Sequence, residues 1–203
     1  MPNQSAPART PRTGGRIRSQ EARTEILAAA AELLEECGYQ GVTIEGVAKR
    51  SGAAKSTVYR WWRSKAELVM EAYTRTVAER MPQPDTGSVR EDLVVFAEQL
   101  YGVVDHPLRV RALRGLMAEA QLDDAFEEPF RAWVGGRREV VARILTRGLD
   151  RGELRGDLDL DYAIDLLFGP FWYRLLVGHV PLDAREAARH IDHMLDGLRR
   201  PRT

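Results

Sequence analysis

The sequence predicts an all-α protein of about nine helices: an N-terminal three-helix unit followed by a larger helical domain. Three observations carry this. No segment sustains period-two alternation, whereas apolar residues recur at three- and four-residue spacing along most of the chain. Ser, Thr and Asp stand just before the apolar runs, several with Glu three residues later. Proline and glycine fall between the runs.

Residues 1–18 hold Pro2, Pro7, Pro11, Gly14, Gly15 and four arginines with no acid, and read as a disordered basic arm. In the first helix Ile26, Ala30, Leu33, Leu34 and Cys37 share one face, and Gly38 ends it. Thr43 caps a short second helix with Ile44, Val47 and Ala48 inward, and Ser51-Gly52 stops it. A third short helix spans about residues 55–61. Ser64-Lys65-Ala66-Glu67 is a capping box for the fourth, and Pro82, Pro84 and Gly87 break it. Ser88 to Glu91 opens the fifth and Pro107 suits the first turn of the sixth. Residues 123–150 form one long helix or two abutting ones, with a bend expected at Pro129 or Gly135-Gly136. Asp159 or Asp161 caps an apolar eighth helix interrupted by Pro170, and Asp183 opens the ninth. The expected division is an arm over 1–18, a first domain over 19–65 and a second over 66–203.

Net charge is zero, but unevenly spread. Residues 1–65 carry eleven basic and six acidic residues, and all three lysines lie between 49 and 65. A basic first third on an acidic remainder points to a polyanion-binding module joined to something else. The longest stretches free of Asp, Glu, Lys and Arg are eight residues, such as Leu166–Tyr173, too short to span a bilayer. The N-terminus lacks the apolar core of a secretory signal, and the lone Cys37 excludes a disulfide framework; both fit a cytoplasmic protein.

Two short helices joined at a glycine turn have the helix-turn-helix layout. The second of them exposes Lys55, Ser56, Thr57, Tyr59 and Arg60: short donors and acceptors suited to base edges at its start, basic and phenolic groups suited to phosphates along it. The stretch Thr43–Tyr73, TIEGVAKRSGAAKSTVYRWWRSKAELVMEAY, resembles the DNA-binding region of the TetR family of bacterial transcriptional regulators. Thr43, Ile44, Val47, Ala48, Gly52, Thr57, Val58, Tyr59, Ser64, Lys65 and Leu68 carry the match. Ala54 stands where the family often has Ser, Trp61 where His is common, and Trp62 where Phe is usual; Trp62 reads as core between this unit and the fourth helix. The resemblance implies that Thr43 and Lys65 meet phosphates at helix N-termini, that Tyr59 and Trp61 touch phosphates, that Lys55, Ser56 and Thr57 face the major groove, and that Arg60 reads a base or binds backbone.

The resemblance further implies a homodimer that binds a palindromic operator in double-stranded DNA, and a C-terminal domain that holds a small effector. Residues 66–203 contain eleven of the fifteen aromatics. An ordinary core accounts for most of them. Candidate effector contacts are Phe96, Leu100, Leu113, Met117, Phe130, Trp133, Phe168 and Trp172, a set that suits a hydrophobic ligand. The eighth and ninth helices are expected to form the dimer interface, with Met194 and Leu195 within it. The expected function is a transcriptional repressor released by such a ligand; the alternative is a DNA-binding dimer with no small-molecule sensing. An enzyme is the contrasting class. His190 and His193 at i, i+3, with His179 upstream, offer only two convergent ligands, and no HExxH, GxSxG, Walker or GxGxxG pattern occurs. Neither catalysis nor a metal or cofactor is expected, and no membrane association.

Overall fold

The computed structural model describes residues 13–78 and 83–198, and among them every regular element is helical. The N-terminal unit is α1 (Thr13–Gly41), α2 (Ile44–Ser51) and α3 (Lys55–Trp61). α1 begins at Thr13, so residues 13–18 extend that helix and are not a disordered arm; the rest of the expected arm lies outside the described residues. Ile26, Leu27, Ala30 and Leu34 bury the inner stripe of α1. Gly38 leaves helical geometry, and the turn after it drops Tyr39 and Val42 into the same core.

α4 (Lys65–Ala78) leads out of this unit and packs against both α1 and the long helix α7 (Asp124–Asp150). Its start is a capping arrangement in which Glu67 N–H donates to Ser64 Oγ at 3.1 Å, while the Glu67 carboxylate accepts from Arg63 N–H at 2.8 Å. The larger domain follows as α5 (Val89–Tyr101), a short 3-10 turn, α6 (Pro107–Glu119), α7 (Asp124–Asp150), α8 (Leu160–Val177), a second 3-10 turn at Ala184–Glu186, and α9 (Ala187–Leu198). The aspartates the sequence marks as starts act as such: Asp123 accepts from Ala125 N–H, Asp159 from Tyr162 N–H, and Asp183 from Arg185 N–H, the last capping the 3-10 turn that feeds α9.

α7 runs as one helix through Pro129 and the Gly135-Gly136 pair. It packs on α4, α5, α6 and α8, which makes it the spine of the domain. Where α7 meets α5, Gly148 leaves no room: a Cβ there would sit 2.8 Å from Val89 Cγ2. α9 lies on α5 and α8, with Ile191, Met194, Leu195 and Leu198 all buried. The expectation that Met194 and Leu195 face a second subunit is therefore corrected. The strong apolar face of α9 is consumed inside the chain, because α5 presents Leu93, Phe96 and Ala97 as a matching buried row.

Asp92 is the one fully buried charged residue among the described residues. Thr86 N–H and Oγ1 donate to its Oδ1 at 2.7 and 2.8 Å, and Arg147 donates to Oδ2 at 3.1 Å. Burial pushes the carboxyl up, but these bonds outweigh it, and the pKa lies below the ordinary aspartate value. The cluster pins the segment before α5 to α7. Among the described residues no helix is long and apolar enough to cross a membrane.

Candidate functional site

Local sequence builds the α2–α3 pair. Thr43 Oγ1 accepts from Gly46 N–H at 3.0 Å and starts α2. Gly52 ends it at φ 69°, left-handed backbone that glycine adopts without the cost a side chain incurs. α3 has Ala54 as its cap, with no side-chain acceptor for its first amides. Val58 is the inward anchor of α3, fully buried, while Lys55, Ser56, Tyr59, Arg60 and Trp61 are exposed and Thr57 half-buried. The polar face read from the sequence is thus one continuous surface, with exposed Thr43 at the start of α2.

Contacts within that surface differ from simple solvation. Lys55 pairs with Glu45 across the turn. Arg50 pairs with Glu36 at 2.6 Å and holds α2 to α1. The Lys65 ammonium lies 3.9 Å from the centre of the Tyr39 ring and donates to the Tyr39 carbonyl at 3.1 Å. It closes the end of α1, and in this state it does not project as the free phosphate donor the resemblance implies. The Arg23 guanidinium lies over both Trp61 and Trp62 and pairs with Glu71 on α4. Trp62 is buried, as its core reading requires, and its indole N–H donates to Glu71 Oε2 at 2.7 Å. The Arg23–Trp62–Glu71 cluster locks α1 and α3 onto α4. Its members are far apart in sequence, and nothing local announces it.

The larger domain holds a partly open cavity of about 940 Å3 between α4, α5, α6, α7 and α8. Leu100, Leu113, Trp133, Phe168 and Trp172 line it, together with Tyr73, Val77, Val103 and Val134. Phe96, Met117 and Phe130 do not reach it. Phe96 is fully buried with its ring edge-on to Phe168, and Phe130 stands behind Trp133 and Trp172, 5.5 and 6.5 Å from their rings. Met117 packs against the apolar core. These side chains support the wall and do not form its surface. The wall is also more polar than its aromatic content suggests: Gln99, His106, Arg109, Arg137 and Arg138 belong to it. Trp133 also borders a smaller groove of about 430 Å3 beside Trp61 and Trp62, so one side chain stands between the cavity and the α3 end of the molecule.

Cavity and α2–α3 surface are joined through α1. Arg109 Nε donates to Glu35 at 3.2 Å, Gln40 bonds Glu119, and Tyr39 meets Phe126 edge-on at 4.9 Å. The Tyr39 hydroxyl is pushed up to about 12 by burial and by the charges of Asp123 and Glu119.

Family models match both halves. Residues 26–72 match the bacterial regulatory proteins of the tetR family, and residues 83–194 match the tetracyclin repressor-like C-terminal domain. The chain belongs to the TetR family. It is 37% identical over 164 residues to the HTH-type transcriptional regulator YdeS of Bacillus subtilis (strain 168), covering 80% of this chain and 82% of that protein. It is 35% identical over 160 residues to the HTH-type transcriptional regulator Rv1556 of Mycobacterium tuberculosis (strain ATCC 25618 / H37Rv), covering 78% of each. The crystal structure of the TetR family transcription regulator SCO0332 superposes with a TM-score of 0.78 at 34% identity, covering 88% of this chain and 98% of that one.

This TetR-family protein is therefore a DNA-binding transcriptional regulator, and its relatives are regulators and not enzymes. Among the described residues no three His, Cys, Asp or Glu side chains are grouped to hold an ion. His190 is half-buried, stacked on Tyr101 and bonded to the Leu167 backbone, with its Nε2 buried and unpartnered among the described residues. The regulator also leaves an apolar stripe uncovered on α8 and just beyond it: Tyr162, Tyr173, Leu176, Val177 and Val180 are all exposed.

Proposed function

We propose that this regulator is a cytoplasmic homodimeric repressor that binds a palindromic operator through α3 and leaves it when a small hydrophobic molecule fills the cavity. The observation that carries this reading is that Arg109, a residue of the cavity wall, is bonded to Glu35 on α1, the helix that supports α2 and α3. Occupancy of the cavity then bears on the orientation of the DNA-binding unit. An effector shifts operator affinity only as far as it prefers one arrangement over the other. Two similar folds support a binding role for such a cavity, each said of its own protein: a FadR of Bacillus subtilis in complex with stearoyl-CoA, at 19% identity and TM-score 0.69, and a regulator from Saccharomonospora viridis in complex with choline, at 21% and 0.61.

In this reading Lys55, Ser56 and Thr57 address base edges, and Thr43, Tyr59, Arg60 and Trp61 address phosphates. Lys65 reaches a phosphate only by exchanging its Tyr39 contacts. The functional division is 19–65 for DNA and 66–203 for effector and dimer. The exposed α8 stripe, and not Met194 and Leu195, supplies the dimer surface. Paired recognition helices then sit about 34–36 Å apart, one turn of DNA.

Selection of binding sequences from a random DNA pool tests this. A twofold-symmetric consensus bound by two chains is expected, as is loss of both dimer and consensus on Leu176→Asp. A pool that shows no enrichment overturns the reading.

A further inference from the structure

The arginines of the cavity wall are nearly all neutralised from within the protein. Arg109 is held by Glu35, Arg138 by Asp161 and Asp165, and Arg185 by Asp183. Arg137 is the exception: half-buried in the same wall, it has no hydrogen bond or ion pair among the described residues. Burial and the nearby charge of Arg143 both disfavour its protonated form. A second donor in the wall is also unmatched. The Trp133 indole N–H is buried and has no acceptor among the described residues. Trp133 and Arg137 are four residues apart on α7, on one face and one helical turn from each other. Two unmatched donors, one of them cationic, sit beside the apolar surfaces of Leu113, Phe168 and Trp172.

We infer that the cavity is built for an amphipathic monocarboxylate, with its carboxylate on Arg137 and the Trp133 N–H and its apolar body against Leu113, Phe168 and Trp172. This rests on the effector reading above and narrows its ligand class. A carboxylate satisfies the fork of one guanidinium and accepts a further N–H without strain. It brings one negative charge to the one uncompensated positive charge. A dianionic phosphate brings twice that, and the remaining arginines of the wall are already paired. A neutral ligand displaces water from half-buried Arg137 without replacing the lost hydrogen bonds, which is costly. The acids of the wall without such partners, Glu98 and Asp105, are exposed, and so the carboxylate is directed away from them toward α7.

The test uses the full chain and calorimetric titration with matched probes below their aggregation limits: decanoate, decan-1-ol and decyl phosphate, and the aromatic pair naphthalene-2-acetate and 2-(2-naphthyl)ethanol. The acid of each pair is expected to bind about tenfold or more tighter than its alcohol, as a charge-assisted bond supplies, with decyl phosphate weaker than decanoate. Arg137→Met should abolish the preference and leave alcohol affinity in place, Arg137→Lys should keep part of it, and Trp133→Phe should lower acid affinity several-fold. Because Arg137 is unpaired without ligand, Arg137→Met should also raise the ligand-free melting temperature by about 2–4 °C. Equal binding of acid and alcohol, tighter binding of decyl phosphate, or an acid preference surviving in Arg137→Met overturns the inference, as does failure of both acids to bind. Alcohols that release operator DNA without any acid preference leave the effector reading standing and discard only this inference. Probes that bind but never alter DNA affinity count against the effector reading instead.

Discussion

Arg109 Nε lies 3.2 Å from Glu35 Oε1, and with that one bond a cavity-lining residue of α6 holds the helix that carries the DNA-binding unit. Both side chains are only about one-third exposed, at 27% and 32%. The pair is less screened than a surface bridge, yet accessible to disruption when α6 moves. Its expected contribution to stability is modest, about 0.5–1 kcal/mol. Arg109→Met and Glu35→Gln should each weaken the effect of a cavity ligand on operator affinity while leaving ligand affinity within about threefold. In a double-mutant cycle the combined variant should lose little more than either alone. Additive losses, read by fluorescence anisotropy on labelled operator, would show that the coupling runs elsewhere.

Lys65 and Tyr59 should separate stability from DNA contact. Tyr59 is 55% exposed, so Tyr59→Phe should leave the melting temperature unchanged and weaken binding to specific and non-specific DNA alike. Lys65 is held by Tyr39, so Lys65→Met should cost about 1 kcal/mol of stability through the lost ring and carbonyl contacts. If it also exchanges onto a phosphate, the salt slope falls by about 1 per subunit contact. Calorimetry and a salt titration read the two effects independently.

Stability should fall on acidification in two stages. The His190 pKa is lowered by burial and by the charges of Arg174 and His193, against the favourable bond to the Leu167 backbone. A histidine depressed in the folded state favours folding above its unfolded value near 6.5, and that contribution is lost as pH falls through the folded value. Asp92 is depressed too, so its contribution holds above about 3.9 and disappears as pH falls through its lower folded value. Denaturant melts across pH should show the upper stage vanish in His190→Gln. Asp92→Asn should remove the lower stage and cost about 2–3 kcal/mol at neutral pH, because Arg147 and Thr86 lose their buried acceptor. An unaltered pH profile in both variants would contradict the assignment.

Gly148→Ala tests the α5–α7 contact. In an open helix this change stabilises by about 1 kcal/mol. Here the new methyl meets Val89 Cγ2 at 2.8 Å and Val89 Cβ at 2.9 Å, so a net loss of about 1–3 kcal/mol is expected from chemical denaturation. Gly115→Ala, which meets nothing within 4 Å, should show no such loss.

The α2–α3 unit was legible because its determinants are local: a Thr43 cap, a left-handed Gly52, a single inward Val58 and a run of polar residues between them. The cavity was legible only in part. Helical spacing tells that Phe96, Leu100 and Phe168 are apolar and face inward, but not whether the inward side is packed core or open space. Phe96 proved to be core, whereas Phe168 lines the opening. The same blindness placed Met194 and Leu195 at a subunit interface, when α5 already covers them. Charged residues of the interior were not legible at all. No local pattern marks Arg109 or Arg137 as part of a cavity wall, and the Arg23–Trp62–Glu71 cluster joins three helices that no local pattern relates. Lys65 matched a family motif, yet its ammonium is engaged by a tyrosine 26 residues earlier in the chain.

The most direct measurement is an anisotropy titration of a labelled operator, selected from random DNA, by the full chain with and without saturating decanoate. Two chains bound per symmetric site are expected, with an affinity at least tenfold lower when the cavity is filled, Thr57→Ala changing base preference and Arg109→Met blunting the ligand effect. A decanoate-saturated protein that binds the operator as tightly as the free one would contradict it.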